Sequence, residues 1–151
     1  NELLKTFKNA KRRFALEEIG DNVIVDDYAH HPTEIKVTLE AVRQKYPNRE
    51  IVAIFKPNTY SRTEALMDDF VKVLSKADKA YVMDIHCDRE RQEDYPGVSS
   101  DTIMERVPGC EKVSVETCGK LLQHKNAVIC FMSCTNIYVL EEEFERLITN
   151  K

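Results

Sequence analysis

The sequence is poor in glycine and lacks the glycine-rich loops that usually hold nucleotide phosphates. It contains four glycines in 151 residues, and neither G-x-x-x-x-G-K-[ST] nor G-x-G-x-x-G occurs in it. Such loops present consecutive backbone N–H groups to a triphosphate or a pyrophosphate. If this chain uses a nucleotide, we therefore expect a different domain to hold its phosphates.

Other absences exclude whole classes of protein. A net charge of -4 and a pI near 5.6 argue against a nucleic-acid partner. No apolar run approaches the roughly 20 residues that span a bilayer, and the N-terminal segment lacks the apolar core of a signal peptide. We therefore expect no membrane insertion and a cytoplasmic location. The five cysteines include no C-x-x-C pair, which indicates reduced thiols, and Cys130 lies in an apolar run typical of core packing.

Short apolar runs alternate with longer amphipathic segments over a length that suits one domain. The predicted strands are 22–27, 50–55, 79–84, 111–116 and 126–132, and the predicted helices are 32–46, 61–77, 99–107 and 136–148. Strand–helix alternation of this kind predicts a single α/β domain. We expect a Rossmann-like, doubly wound, mostly parallel sheet with helices on both faces. The polar stretch 87–100, with its Pro-Gly turn, and the first dozen residues are predicted to be flexible.

Polar clusters follow four of the predicted strands. They read DDYAHHP after the first strand, KPNTYSRT after the second, DIHCDRER after the third and SCTN after the last. Ligands of open α/β sheets gather beyond the carboxyl ends of the strands. Four polar strand ends therefore predict one composite site.

The first cluster allows three interpretations. Asp26, Asp27 and Asp84 with a histidine such as His86 could hold a metal, although the adjacent His30 and His31 should diverge at a helix start. Asp27 and the histidines could instead cap the following helix. In the third interpretation the cluster is a nucleoside-binding site, in which the Asp27 carboxylate accepts hydrogen bonds from ribose hydroxyls and the Tyr28 ring stacks on the base.

The second cluster places Arg62 at a predicted helix start, with Lys56 nearby. A guanidinium beside a helix N-terminus suits a carboxylate or a phosphate.

Several of these motifs together resemble the C-terminal domain of the Mur ligase family. They are KRRF (11–14), DDYAHHPTEI (26–35), F-x-P-x-x-Y-S-R-T (55–63), PGVSS (96–100) and NIY (136–138). The resemblance covers nearly the whole chain. Within the family, the Tyr-Ser-Arg-Thr motif favours the enzymes that add L-alanine over those that recycle murein tripeptide.

The resemblance implies an ATP-dependent ligation of L-alanine to UDP-N-acetylmuramate, through an acyl phosphate, during peptidoglycan synthesis. Such enzymes have an N-terminal domain for the UDP-sugar, a central domain with the phosphate loop and the Mg²⁺ ligands, and a C-terminal domain that closes over ATP. Only the last is present, so residues 1–14 would be the entry segment and 15–151 the C-terminal domain. We expect this domain to be inactive in isolation, with neither a catalytic residue nor a metal of its own.

The resemblance also assigns residues. For adenosine it implies Asp27, Tyr28 and His30, with Arg12 or Arg13 near the nucleotide. For L-alanine it implies Arg62 at the carboxylate, with Asn58 and Thr59 beside it.

The chain departs from the family pattern at two places. Asn58 stands where histidine is usual, and Ser133, Cys134 and Thr135 stand where Gly-Ala-Gly is usual, so the amino-acid pocket could be reshaped and Cys134 could line it. Two rival hypotheses also stay open: a self-contained metal-dependent phosphoesterase and a non-catalytic nucleotide-binding module.

Overall fold

The computed structural model describes residues 15–87, 89–133 and 137–149. Its strands are β1 (Ala15–Ile19), β2 (Asn22–Asp27), β3 (Glu50–Phe55), β4 (Lys79–Val82), β5 (Glu111–Lys112) and β6 (Ala127–Met132). Its α-helices are α1 (Pro32–Lys45), α2 (Tyr60–Ala65), α3 (Met67–Leu74), α4 (Ser100–Arg106) and α5 (Tyr138–Thr149), and Gln92–Asp94 and Cys118–Gln123 form 3-10 helices.

The six strands form one sheet in the order β1-β2-β6-β3-β4-β5. Every neighbouring pair is parallel except β1 and β2, which form an antiparallel hairpin. The α/β prediction with a mostly parallel sheet is confirmed. β1 was not predicted, because three of its five residues are exposed and two are glutamates, a pattern typical of an edge strand.

Each face of the sheet has its own hydrophobic core. On one face the core contains Ile35 of α1, Phe70 of α3 and Ile103 of α4, together with Val23 and Val25 of β2. On the other face Leu121, Leu140 and Phe144 pack with Ile24 and Phe131. Since alternate strand residues point to opposite faces, the middle of each central strand is apolar, and all six residues of β6 are buried.

Two predicted elements differ from the structure by more than two residues, whereas the strand predicted over 79–84 ends two residues early, at Val82. The predicted helix 61–77 is two helices, broken at Leu66 (φ -115°, ψ 19°), and the acids Asp68 and Asp69 favour a new helix start there. The predicted strand 111–116 ends at Lys112. Ser114 and Thr117 bond each other's backbone N–H groups with their hydroxyls, which forms a turn in place of a longer strand.

The described cysteines are free thiols. Cys110, Cys118 and Cys130 are buried, and burial raises the pKa of the Cys110 and Cys118 thiols to about 11. The core role predicted for Cys130 is confirmed, whereas Cys134 lies outside the described residues. Within the described ranges, no helix combines the length and apolar character of a membrane span.

Candidate functional site

The polar clusters after β2, β3 and β6 meet at the carboxyl edge of the sheet. Ser133 joins them: its backbone N–H donates to the Asp27 carbonyl oxygen (3.2 Å), and its hydroxyl donates to the Lys56 carbonyl oxygen (3.0 Å). Lys56 itself is 7% exposed, and burial lowers the pKa of its ammonium group. Hydrogen bonds of Ser133 therefore join the ends of the three central strands, while the fourth predicted cluster, after β4, is not part of these bonds.

A first cleft of about 260 Å³ opens between the end of β2 and helix α1, and we call it the α1 cleft. Its lining residues are Asp27, Tyr28, Ala29, Thr33, Glu34, Val37 and Thr38. The Asp27 carboxylate accepts from the Ala29 backbone N–H (3.2 Å) and from the Thr38 hydroxyl (2.6 Å), one bond to each oxygen. Since a carboxylate oxygen can accept more than one bond, Asp27 is held in place and can still accept from a ligand hydroxyl.

The apolar walls of the α1 cleft are unusually exposed. Tyr28 is 43% exposed and Val37 is 61% exposed. Val37 lies one helical turn beyond Thr33 and Glu34, so it is on the face of α1 that borders the cleft. An aromatic ring, an aliphatic side chain and a fixed carboxylate suit a ligand with a planar apolar part and adjacent hydroxyl groups.

The two histidines diverge, as predicted. The His30 Nδ1 atom lies 3.1 Å from the Tyr28 carbonyl oxygen, and its ring packs edge-on against the Tyr28 ring with centroids 5.6 Å apart. The His31 Nδ1 atom instead accepts from the Thr33 backbone N–H (3.2 Å), which makes His31 the N-cap of α1. Because one Nδ1 donates and the other accepts, the neutral rings carry their protons on different nitrogens. The helix-capping interpretation therefore holds for His31.

A second cleft, of about 750 Å³, lies on the other side of His31, and we call it the α2 cleft. Its lining residues are His31, Thr59, Ser61, Arg62, Ala65, Leu66, Arg89 and Glu90. In the described part of the chain, neither Arg62 nor Arg89 forms an ion pair within 4.0 Å. Two exposed guanidinium groups in one cleft suit a carboxylate or a phosphate.

Protein groups already occupy the N-terminus of α2. Thr59 caps Arg62 N–H with its hydroxyl (3.2 Å) and Thr63 N–H with its carbonyl (3.2 Å). The Glu90 carboxylate accepts the remaining first-turn groups, Tyr60 N–H (2.7 Å) and Ser61 N–H (3.1 Å). The N–H groups of the first three helical residues are therefore bonded within the protein, so an anion in this cleft would contact the guanidinium groups and not the helix N-terminus.

Glu90 also accepts from the Ser61 hydroxyl (2.5 Å). This bond is the largest influence on the carboxylate, and together with the Ser61 and Tyr60 N–H groups and nearby Arg89 it lowers the pKa of Glu90. The sequence argument missed Glu90 and Arg89. The only sequence signal was their position in the polar cluster after β4.

The acidic side chains that were predicted to bind a metal do not come together in the structure. Asp26 and Asp27 lie on successive positions of β2 and face opposite sides of the sheet. Asp84 accepts from Ser100 Oγ (2.8 Å) and pairs with Lys112 Nζ (2.7 Å), which also lowers the pKa of Asp84. Within residues 15–87, 89–133 and 137–149, no group of three His, Cys, Asp or Glu side chains could bind a metal ion.

The remaining predicted site residues divide into three groups. Asp27 and Tyr28 line the α1 cleft, and Thr59 and Arg62 line the α2 cleft. Asn58 is half-buried and lines neither cleft. Arg12, Arg13 and the whole segment 1–14 lie outside the described residues.

Two curated relatives of this chain carry the same name. UDP-N-acetylmuramate–L-alanine ligase of Streptococcus agalactiae serotype III (strain NEM316) is 47% identical over 149 residues, which are 99% of this chain and 34% of the relative. The enzyme of the same name from Lactobacillus johnsonii (strain CNCM I-12250 / La1 / NCC 533) is 44% identical over 148 residues, 97% of this chain and 33% of the relative. The chain thus spans about a third of the length of these curated relatives.

Solved structures share the fold. UDP-N-acetylmuramate-alanine ligase of Thermotoga maritima superposes with a TM-score of 0.68 and 25% identity, over 93% of this chain and 30% of that one. A murein peptide ligase of Psychrobacter arcticus 273-4 gives a TM-score of 0.71 at 21% identity, with the same coverage, 93% and 30%. The model of the family described as "Mur ligase, glutamate ligase domain" matches residues 12–133. The chain therefore belongs to the Mur ligase family, whose glutamate ligase domain it contains.

Proposed function

We propose that this chain is the C-terminal domain of an ATP-dependent ligase that joins L-alanine to UDP-N-acetylmuramate in peptidoglycan synthesis. The observation that carries the proposal is the pair of clefts on either side of the start of α1. One has an aromatic wall and a fixed carboxylate, and the other has two guanidinium groups without ion pairs among the described residues. The high identity to alanine-adding ligases supports the same conclusion.

The α1 cleft receives the adenosine part of ATP in this proposal. Its Asp27 carboxylate accepts from the ribose hydroxyls, and the base lies against Tyr28 and the exposed Val37. His30 supports the Tyr28 ring through their edge-on contact. Arg13 near the nucleotide remains a proposal from the family resemblance.

The α2 cleft receives L-alanine. Arg62 binds the amino-acid carboxylate, with Arg89 as a second cation, while Thr59 acts indirectly as the N-cap of the helix that carries Arg62. Asn58 beside the amino acid remains part of the proposal. Held in this way, the amine is aligned with the reactive carbonyl group, and the encounter becomes effectively intramolecular.

The phosphates and Mg²⁺ belong elsewhere. The chain has no glycine-rich phosphate loop, and its described acidic and histidine side chains do not cluster as a metal site. We propose that a central domain holds the triphosphate and Mg²⁺ and that an N-terminal domain binds the UDP-sugar. Because the proposed reaction consumes ATP, we also propose a cytoplasmic location.

A chimera tests this function. The first two thirds of the Streptococcus agalactiae relative would be fused to this chain at the matched boundary, since the two share 47% identity there. We expect phosphate release that requires ATP, UDP-N-acetylmuramate and L-alanine together. This chain alone, under the same conditions, should release none.

Two outcomes would contradict the proposal. Phosphate release by the isolated chain would mean that no catalytic domain is missing. A chimera that is folded and binds ATP but prefers murein tripeptide to L-alanine would assign the chain to the related recycling ligases.

A further inference from the structure

We infer that Glu90 is a positioning residue of the α2 cleft: its carboxylate fixes the first turn of α2 and thereby places Arg62. The inference rests on the proposed function, because it concerns the residue that would hold the L-alanine carboxylate. It assigns a role to a side chain that lies in the loop after β4, 28 positions after Arg62 of helix α2.

Helix α2 needs outside support. It has six residues, and a helix of that length is not stable by itself in water. The first three helical residues have N–H groups with no partner inside the helix: the Thr59 hydroxyl accepts from Arg62, and Glu90 accepts from Tyr60 and Ser61. Without Glu90, the N–H groups of Tyr60 and Ser61 would have to find water, and the turn that precedes Arg62 would lose its only charge-assisted bonds among those described.

Further contacts join α2 to the same loop. The Tyr60 hydroxyl donates to the Ile85 carbonyl oxygen (3.4 Å), and the Tyr60 ring stacks on the Tyr95 ring with centroids 6.1 Å apart and planes 11° apart. Glu90 lies between Ile85 and Tyr95 in sequence. Three residues of the loop after β4, Ile85, Glu90 and Tyr95, therefore contact the N-terminal end of α2. Glu90 makes the shortest and strongest of these contacts.

This arrangement has a consequence for the bound amino acid. Because Glu90 occupies the backbone N–H groups at the start of α2, the substrate carboxylate depends on guanidinium groups and not on helix N–H groups. A guanidinium binds a carboxylate well only when its planar fork is correctly oriented. Loss of Glu90 should therefore weaken L-alanine binding through the orientation of Arg62.

The test compares Glu90→Ala and Glu90→Gln in the chimera. A glutamine keeps one oxygen for the Tyr60 and Ser61 N–H groups and can place its amide beside the Ser61 hydroxyl, so it preserves the geometry without the charge. We expect Glu90→Ala to raise the KM for L-alanine about tenfold, because the three hydrogen bonds that fix the first turn of α2 are lost. Glu90→Gln should raise it less than about threefold, and the KM for ATP should stay within about twofold in both variants.

Glu93→Ala is the matched control. Glu93 lies in the same loop and pairs with the exposed Arg91 (2.9 Å), away from α2. Its replacement should leave both KM values unchanged. Ser61→Ala removes only the hydroxyl bond to Glu90 and should give a smaller increase in the KM for L-alanine, which keeps the inference testable if Glu90→Ala does not fold.

The outcomes separate this inference from the proposed function. An unchanged KM for L-alanine in Glu90→Ala would overturn the positioning role, and so would a Glu90→Gln defect as large as that of Glu90→Ala. Equal increases in the KM values for ATP and L-alanine would indicate general loosening of the fold and would also overturn it. If the unmutated chimera requires no L-alanine, the proposed function itself fails.

Discussion

Asp27 lies between the α1 cleft and the helix beside it. Its carboxylate accepts from the buried Thr38 hydroxyl at 2.6 Å, and Thr38 is 4% exposed on the core side of α1. The same bond therefore orients Asp27 and attaches α1 to the end of β2.

Thr38→Val should reveal that bond. Valine has the shape of threonine but no hydroxyl, so Asp27 loses a donor in a half-buried place, and we expect the free energy of unfolding to fall by about 1–2 kcal/mol. Urea denaturation of this chain measures the change. Thr33→Val is the matched control, because Thr33 is exposed on the same helix and should change stability by less than about 0.5 kcal/mol. Equal effects of the two substitutions would contradict the role of the bond.

Tyr28 and Val37 allow a prediction about adenosine. Val37→Thr keeps the size of the side chain and adds a polar group where the base should lie, so the KM for ATP in the chimera should rise about three- to tenfold. Tyr28→Ala should raise it at least as much. Val139→Thr is the control, since Val139 is exposed to 39% on α5, which packs on the other face of the sheet. A nucleotide affinity that Val37→Thr leaves unchanged would exclude Val37 from the base contact.

Single residues could be predicted from the sequence where the signal lies in the neighbouring residues of the chain. Asp27 ends β2, Tyr28 follows it, and Arg62 lies in the helix after β3, so the polar strand ends singled them out, while their proposed roles come from the family resemblance. Glu90 could not be found in this way. Its partners Tyr60 and Ser61 are 30 and 29 residues away, and one polar residue in a polar loop carries no signal of a distant hydrogen bond.

Among the elements, the start of α1 is the most strongly specified. His31 caps the helix, Pro32 occupies the first turn, and Glu34 accepts from the backbone N–H of His31 (3.1 Å) and His30 (3.3 Å) to complete a capping box. Partial burial opposes ionisation of Glu34, but these N–H groups and the neighbouring histidines outweigh it and lower the pKa of the carboxyl group.

A pH prediction follows from Glu34. A carboxyl group whose pKa is lower in the folded state stabilises the fold fully above its unfolded pKa of about 4.5, and that stabilisation is lost as the pH falls through the lower folded value. Glu34→Gln keeps the capping acceptor but does not titrate. Urea midpoints measured between about pH 3 and about pH 6 should therefore fall more steeply with acidity for the unmutated chain than for Glu34→Gln. Parallel curves would contradict the assignment.

Elements were predictable where local chemistry and burial agreed. β2, β3 and β6 were found to within one residue because they are continuous apolar runs. β1 was missed because its side chains are mostly exposed, and the end of β5 was misplaced because a hydroxyl-bonded turn replaced strand pairing.

The whole molecule depends on two separate cores on one sheet. Ile35 belongs to the core under α1, and Ile137 belongs to the core under α5. Ile35→Val and Ile137→Val should each lower the free energy of unfolding by about 0.5–1.5 kcal/mol. Because the two cores lie on opposite faces, the double variant should show the sum of the two losses within about 0.5 kcal/mol. A larger deviation would mean that the two faces are coupled through the sheet.

The capped start of α1 has a consequence for ligand design. His31 borders the α2 cleft while Thr33 and Glu34 border the α1 cleft, so one short, hydrogen-bonded stretch of backbone is the wall between them. A wall that cannot stretch fixes the separation of the two clefts. A two-headed inhibitor that joins an adenosine group to an amino acid should therefore gain most from a stiff linker of one length. In a series of such inhibitors that differ only in linker length, affinity should be highest at one length and fall for shorter and longer linkers.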